Sequence, residues 1–171
     1  MPSITLGAQT TNCTLRYVNS MVPARTGHRH PEALADEIEI RPVHHTDREQ
    51  MVRLYKAAGW WTPENDENPE FVDRIAPGSY CFVGAFRGEH MIGMGRILSD
   101  GVSDAYIQDV TVLPDYRRRG IGARIITALV EKLREDRIEW IGLVGEPGTS
   151  GFYKQLGFSE MKGSVPFIHK G

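Results

Sequence analysis

Regular alternation of apolar and charged positions begins near Glu37, where "EIEIRP" reads as a half-buried strand that Pro42 ends. The period then changes. In "HTDREQMVRLYKAAGW" the residues Met51, Leu54, Tyr55 and Ala58 fall on one helical face, with Thr46 or Asp47 as N-cap and Gly59 as the stop. "WTPENDENPEFVDRIAPG", rich in Pro, Asn and acids, predicts a loop with a short helix from Pro69 to Ile75.

Two strands follow, "YCFVGAFRG" and "HMIGMGRILSD", joined at Gly88–Glu89 as a tight hairpin is. After the turn "SDGVSD" a third, "DAYIQDVTVL", is closed by Pro114 and Asp115. From Gly120 the positions Ile121, Ile125, Ala128, Leu129 and Leu133 make the stripe of an amphipathic helix. "IEWIGLV" is nearly all apolar, the pattern of a strand buried on both faces. "TSGFYKQLG" predicts a brief helix ending at Gly157, and "FSEMKGSVPFI" one or two last strands. The predicted order is β-α-α-β-β-β-α-β-α-β, without internal repeats.

Composition narrows the class. A chain of 171 residues, 40% hydrophobic and 25% charged, suits a single α/β domain with its own core. The domain is expected over residues 37–171, behind an extension over 1–36. A net charge of −2 argues against a general nucleic-acid or anionic-membrane binder, so any anion site must be local. No apolar run approaches the ~18 residues of a membrane span.

Cys13 and Cys81 make no CxxC or zinc spacing, which favours a reducing, cytoplasmic setting over a secreted one. His28, His30, His44 and His45 match no ligand motif, so no metal is expected. Residues 1–31 lack Asp and Glu and carry Arg16, Arg25 and Arg29, a transit-leader-like composition. The alternative is an extension packed on the domain or on a neighbouring subunit, with "TLRYVNSMV" as an extra strand.

The chemistry concentrates in "YRRRGIG", Tyr116 to Gly122, between a strand and a helix. The first N–H groups of a helix lack backbone partners, its dipole is positive there, and glycines let a phosphate approach closely. Arginines add charge-assisted hydrogen bonds. The P-loop pattern GxxxxGK[S/T] is not met, and a dinucleotide fingerprint would need glycine where Ile125 stands. Alone, the cluster reads equally well as a solvated charge run.

With "VTVLPDYRRRGIG" and, some thirty residues on, "GFYKQLGF", the chain resembles the GNAT superfamily of acyl-CoA N-acyltransferases from about Glu37 to Phe158. The family's cofactor motif, Arg/Gln-x-x-Gly-x-Gly/Ala, matches Arg117, Gly120 and Gly122. The resemblance implies an α/β (α+β) domain with a mixed, mostly antiparallel twisted sheet flanked by helices on both faces. It implies acetyl-CoA as co-substrate, and a strand, here Val110, Thr111 and Val112, whose backbone bonds the pantetheine arm and the acetyl carbonyl. Amides from Arg117 through Arg118, Arg119, Gly120 and Ile121 to Gly122 would wrap the pyrophosphate. Arg118 and Arg119 stand at variable positions, where contact with the 3′-phosphate and plain solvent exposure are equal readings. Tyr153 would sit beside the sulfur as acid.

The sequence also departs from the family. Where many relatives place an Asn that bonds the pantetheine, "GEPGTS" has Pro147 or Gly148, and Ser150 is the candidate substitute. Tyr106 stands where some relatives carry a Glu base. Asp109 is the nearest acid, but alternation puts it on the face opposite Val110 and Val112, which leaves a water chain as the other route for the amine's proton. For the acceptor, Trp60 and Trp61 offer aromatic walls, and Glu64, Asp66, Glu67 and Glu70 offer charge for a cationic amine. "AYIQDVTVLPDYRRRGIG" and the tail are most similar to the bacterial and plant-plastid branch that includes serotonin N-acetyltransferases, which favours an aromatic or small alkyl amine. Protein lysine, an aminoglycoside or an amino acid stays open. The competing functions are a catalytically idle acyl-CoA sensor or scaffold and, more weakly, a DNA-associated protein. A homodimer, with the N-terminal extension exchanged, is compatible with the family.

Overall fold

A computed structural model describes residues 13–15 and 37–169. Its sheet has five strands in sequential order: β1 (Ile38–Pro42), β2 (Cys81–Arg87), β3 (His90–Ser99), β4 (Asp104–Val112) and β5 (Trp140–Gly142). All neighbours are antiparallel except β4 and β5, which run parallel. Between β1 and β2 lie α1 (Arg48–Ala58), α2 (Pro63–Glu67) and a 3₁₀ turn at Pro69–Arg74. A second 3₁₀ turn, Pro114–Tyr116, leads from β4 into α3 (Ile121–Glu135), and α4 (Ser150–Gln155) follows β5.

Each helix forms where its signals lie. Asp47 caps α1 by accepting from the Gln50 N–H, and Gly59 ends it in the left-handed conformation at φ 77°. The face holding Met51, Leu54 and Tyr55 is buried. On α3 the whole expected stripe is buried, with Ile126 added. Each buried Ile, Leu or Met of these faces contributes about 1.5–3 kcal/mol relative to exposure.

The helices divide the core into two layers. α3 packs with Val83, Ile92, Ile97, Ile107 and Val112 on one face of the sheet. α1 and the Pro69–Arg74 turn pack with Phe82, Phe86, Met91 and Met94 on the other. Two β3 glycines let α3 approach closely: a Cβ on Gly95 would stand 2.8 Å from Ile125 Cγ2, and one on Gly93 would stand 3.2 Å from Ile125 Cδ1.

Two expectations are corrected. The "IEWIGLV" strand is neither long nor covered on both faces, since only Trp140–Gly142 pair, Trp140 is 42% exposed and Val144 is 77% exposed. No strand forms in the tail among the described residues, and Val165, Phe167 and Ile168 are exposed there. With no tail strand added, β5 is the edge of the sheet among the described residues and pairs with β4 alone. The expected extra strand in "TLRYVNSMV" lies mostly outside the described residues, and Cys13–Leu15 are not in a strand. Cys13 is instead joined to Cys81 by a disulfide, a pairing that their spacing of 68 positions did not suggest.

Candidate active site

The end of β4 and the start of α3 form one junction. Tyr116 and Arg117 hydrogen-bond back to Leu113 and Pro114, so the chain turns sharply after the strand. Gly120 then takes the N-cap position at φ 76°, in the left-handed region where glycine is at no disadvantage. No side chain caps α3, and its first turn has no acidic residue. Arg124 N–H is the first to find a helical partner, the Gly120 carbonyl, at 3.0 Å. The N–H groups of Ile121, Gly122 and Ala123 therefore end at a positive dipole with open space where a Gly120 side chain would stand. This is the donor set that a pyrophosphate needs.

The arginines have separate roles. Arg117 Nε donates to the Val112 carbonyl at 2.8 Å, and its terminal nitrogen donates to the Ala57 carbonyl at 3.1 Å. It fastens the loop to the end of β4 and to the last turn of α1, so its side chain shapes the cradle. Arg118 and Arg119 are exposed; Arg118 holds φ 59°, and the Arg119 guanidinium lies 5.5 Å from the Tyr116 ring centre.

α4 brings the second motif alongside. A Cβ on Gly122 would stand 3.5 Å from Phe152 Cζ and 3.9 Å from Val112 Cγ2, so Phe152, α3 and β4 meet at that glycine. Tyr153, next along α4, is half-buried between Phe152 and Phe158, with ring centres 5.1 and 6.0 Å away. Its hydroxyl makes no hydrogen bond to another described residue. Burial first, and the Glu146 charge second, push the phenol above its usual range. Ser150 donates to Glu160 Oε1 at 2.6 Å, so its hydroxyl is taken up by the tail.

β4 carries a bulge. Met94 pairs with Thr111 and Arg96 with Gln108, which leaves Asp109 and Val110 opposite Gly95 alone. Asp109 sits there at φ 53°, rare for a residue with a side chain. Val110 and Val112 pack toward α3, as alternation predicts. Asp109 turns to the α1 face, where Oδ2 accepts from Tyr55 Oη at 2.7 Å and from Arg96 Nε at 2.6 Å. Burial, then the Asp109 charge and hydrogen bond, push the Tyr55 phenol far above its usual range. Thr111 is buried on this strand.

Tyr55 and Arg96 were not anticipated as site residues. Tyr55 hid in the apolar stripe of its helix, whereas Arg96, a charge in the apolar run "MIGMGRIL", was the available signal. Trp60 and Trp61 join the second core layer rather than standing as bare walls. Trp60 meets Tyr55 edge-on at 5.7 Å, and Trp61 stacks on Phe71 at 5.7 Å. Trp61 Nε1 donates to Asp66 Oδ1 at 2.9 Å, and Lys56 pairs with the same carboxylate, so Asp66 is already partnered. Glu64, in the first turn of α2, is held below its usual carboxylate range chiefly by a hydrogen bond with Thr62. Tyr106, 46% exposed, packs edge-on against Trp140 at 5.2 Å. Among the described residues there is no group of three or more His, Cys, Asp or Glu placed to hold a metal, and no helix long and apolar enough to cross a membrane.

A mixed sheet whose fourth strand bulges and then feeds an uncapped, glycine-opened helix defines an anion-cradling fold of the acyltransferase type. The chain matches the Acetyltransferase (GNAT) family over residues 41–158 and belongs to it. Over 68 residues, 40% of the chain, it is 40% identical to an uncharacterized N-acetyltransferase, ycf52, of Pyropia yezoensis. Over the same length it is 37% identical to serotonin N-acetyltransferase 2, chloroplastic, of Oryza sativa subsp. japonica. These matches span only 39% and 34% of those relatives. A GNAT-family acetyltransferase from Streptococcus pneumoniae superposes with a TM-score of 0.64 at 26% identity, over 78% of this chain and all of that one. AAC(6')-Iy, solved in complex with a CoA-containing bisubstrate analogue, superposes with a TM-score of 0.62 at 18% identity, over 80% of this chain and 99% of that one.

Proposed function

We propose that the protein is an acetyl-CoA-dependent N-acetyltransferase that moves the acetyl group to a primary amine by direct attack in a ternary complex. The observation that carries this reading is the α3 N-terminus, opened by Gly120 and fastened by Arg117 to the end of the bulged strand. Acetyl-CoA, when bound, supplies an activated thioester. Ile121, Gly122 and Ala123 N–H groups would hold its pyrophosphate, and the backbone of Val110 to Val112 would align the pantetheine arm and the acyl group.

Tyr153 is the acid nearest this arrangement in the sequence motif. A thiol near ~8.5 and a phenol near ~10 already make full proton transfer uphill by roughly 2 kcal/mol. Burial and Glu146 raise the phenol further, so Tyr153 acts as a hydrogen-bond donor that stabilises the sulfur leaving group without surrendering its proton. Asp109, paired with Arg96 and Tyr55, is less suited to collect the amine's proton than a chain of waters is.

A small or aromatic amine is the favoured acceptor. The match to a plastid serotonin N-acetyltransferase favours it, and of the rings on the α1 side only the partly exposed Trp60, Trp61 and Phe71, not the buried Tyr55, are open to such an amine. The deciding experiment measures thiol release from acetyl-CoA across a panel of serotonin, tryptamine, short alkyl amines, an aminoglycoside and a lysine peptide. Turnover with serotonin or tryptamine above the others is expected. Turnover with the lysine peptide alone would move the assignment to a protein acetyltransferase. Acetyl-CoA binding with no thiol release from any amine would leave the sensor or scaffold reading.

A further inference from the structure

Asp109 is held by groups from two other elements: Tyr55 from α1 and Arg96 from β3, both donating to one carboxylate oxygen. The pair is well shielded, with side-chain exposures of 18% for Arg96 and 19% for Asp109. The residue so clamped occupies the left-handed region without being glycine, at the one position where β4 leaves register with β3. Aspartate tolerates this region better than most residues but still at a cost relative to extended backbone, and without its partners the bulge would be free to loosen and re-aim the strand that follows it. The residues that follow it, Val110 to Val112, are those whose backbone would align the acyl group.

We propose that Tyr55 and Arg96 are positioning residues that act through Asp109 to set the β4 bulge and thereby aim the Val110–Val112 backbone at the acyl group. This rests on the acyltransferase reading above. Asp109 is accordingly a structural anion whose charge is directed at Arg96, and its task is to fix a backbone angle. Asparagine can do much of that work, because it adopts the left-handed region readily and keeps an oxygen for Tyr55 or Arg96. Alanine can do neither.

The test compares Tyr55→Phe, Asp109→Asn and Asp109→Ala with the parent chain by kinetics and by NMR. Phe at 55 keeps the ring packing against Trp60 and Phe71, so that variant is expected to fold. The expected result is a kcat about 30-fold lower for Asp109→Ala and about 10-fold lower for Tyr55→Phe, with KM for acetyl-CoA within about two-fold in both. Asp109→Asn should recover most of the alanine loss, to within about three-fold of the parent, and keep the parent's acidic limb in the pH–rate profile. Asparagine as damaging as alanine, with the acidic limb gone, would make Asp109 the general base and overturn the proposal. The HN–Hα coupling of residue 109, with the Cα shift taken relative to the random-coil value of the residue present, reports its backbone angles and does not depend on turnover. Both observables should change in Tyr55→Phe and Asp109→Ala. An unchanged φ in both would overturn the proposal even if the amine panel succeeds, and a changed φ with no turnover by the parent chain would instead fault the acyltransferase reading.

Discussion

Tyr153 carries a proton held more tightly than that of an isolated tyrosine, because burial and the neighbouring Glu146 both disfavour the phenolate. The protonated form is the donor, so raising the pKa extends activity upward in pH: the alkaline limb of kcat should lie above ~10, the ordinary tyrosine value. Glu146→Gln removes a repulsion and should move that limb to lower pH, whereas Tyr153→Phe should abolish it and lower kcat about 100-fold. An alkaline limb that survives in Tyr153→Phe would belong to another group. At Gly120 the issue is backbone geometry. A Cβ there meets nothing within 4 Å, yet φ is 76°, so Gly120→Ala should cost about 1 kcal/mol in urea unfolding through strain alone, and weaken acetyl-CoA binding as the cradle shifts. At this scale the sequence was legible where a motif pins a residue, as with Gly120, Gly122 and Arg117. It was silent on Tyr55 and Arg96, because a hydrogen bond between residues 54 positions apart leaves no local pattern.

The elements most exposed to single changes are β3 and α3, which meet across glycines. A methyl group at Gly95 would press on Ile125 Cγ2 at 2.8 Å, Leu129 Cδ1 at 3.1 Å and Val110 Cγ2 at 3.2 Å, all fixed by their own packing. Gly95→Ala should therefore destabilise by about 1–3 kcal/mol, seen as a lower urea midpoint. Tyr80, just before β2, ties the sheet to the other end of α3: its hydroxyl donates to Asp136 Oδ2 at 2.6 Å, a carboxylate that Lys132 also holds. Burial, the hydrogen bond and the Asp136 charge push this phenol up to about 12. Between ~10, where an unfolded tyrosine ionises, and about 12 the folded chain binds the extra proton, so stability must fall as pH rises through that window. Tyr80→Phe should flatten that fall; Tyr55, shifted in the same direction, would keep part of it. The helices α1 and α3 and the start of β4 were legible because burial enforces their periods, and β2 and β3, buried almost throughout, because the Gly88–Glu89 turn separates two apolar runs. β5 and the tail were not: the apolar run "IEWIGLV" pairs over three residues only, and "FSEMKGSVPFI", a mixture of apolar, charged and Gly/Pro residues, carries no sustained period.

Across the whole molecule, the feature with most leverage outside the site is the link from the N-terminal extension to the sheet. Cys13 and Cys81 are buried, at 4% and 1% exposure, and Leu15 packs against the α3-side core beside them. Two cysteines 68 positions apart had carried no motif, so the bridge appears only once β2 places Cys81 against the core. A cross-link closing so long a loop restricts the unfolded chain strongly, and a stabilisation of about 2–4 kcal/mol is expected from it. Cys81 pairs with Ile97 on β3, while the cradle end of β4, Val112, pairs with Gly93. Four residues of strand, roughly 13 Å, separate the two pairings. Stability and cofactor binding should therefore respond separately. The double variant Cys13→Ala with Cys81→Ala, or the parent chain in excess dithiothreitol, should unfold at a clearly lower denaturant midpoint while its calorimetric affinity for acetyl-CoA stays within about two-fold. A midpoint that ignores the reductant would mean that the bridge contributes nothing to stability. A large loss of acetyl-CoA affinity would mean instead that the N-terminal extension reaches the cradle, and that the two ends of the sheet are coupled through it.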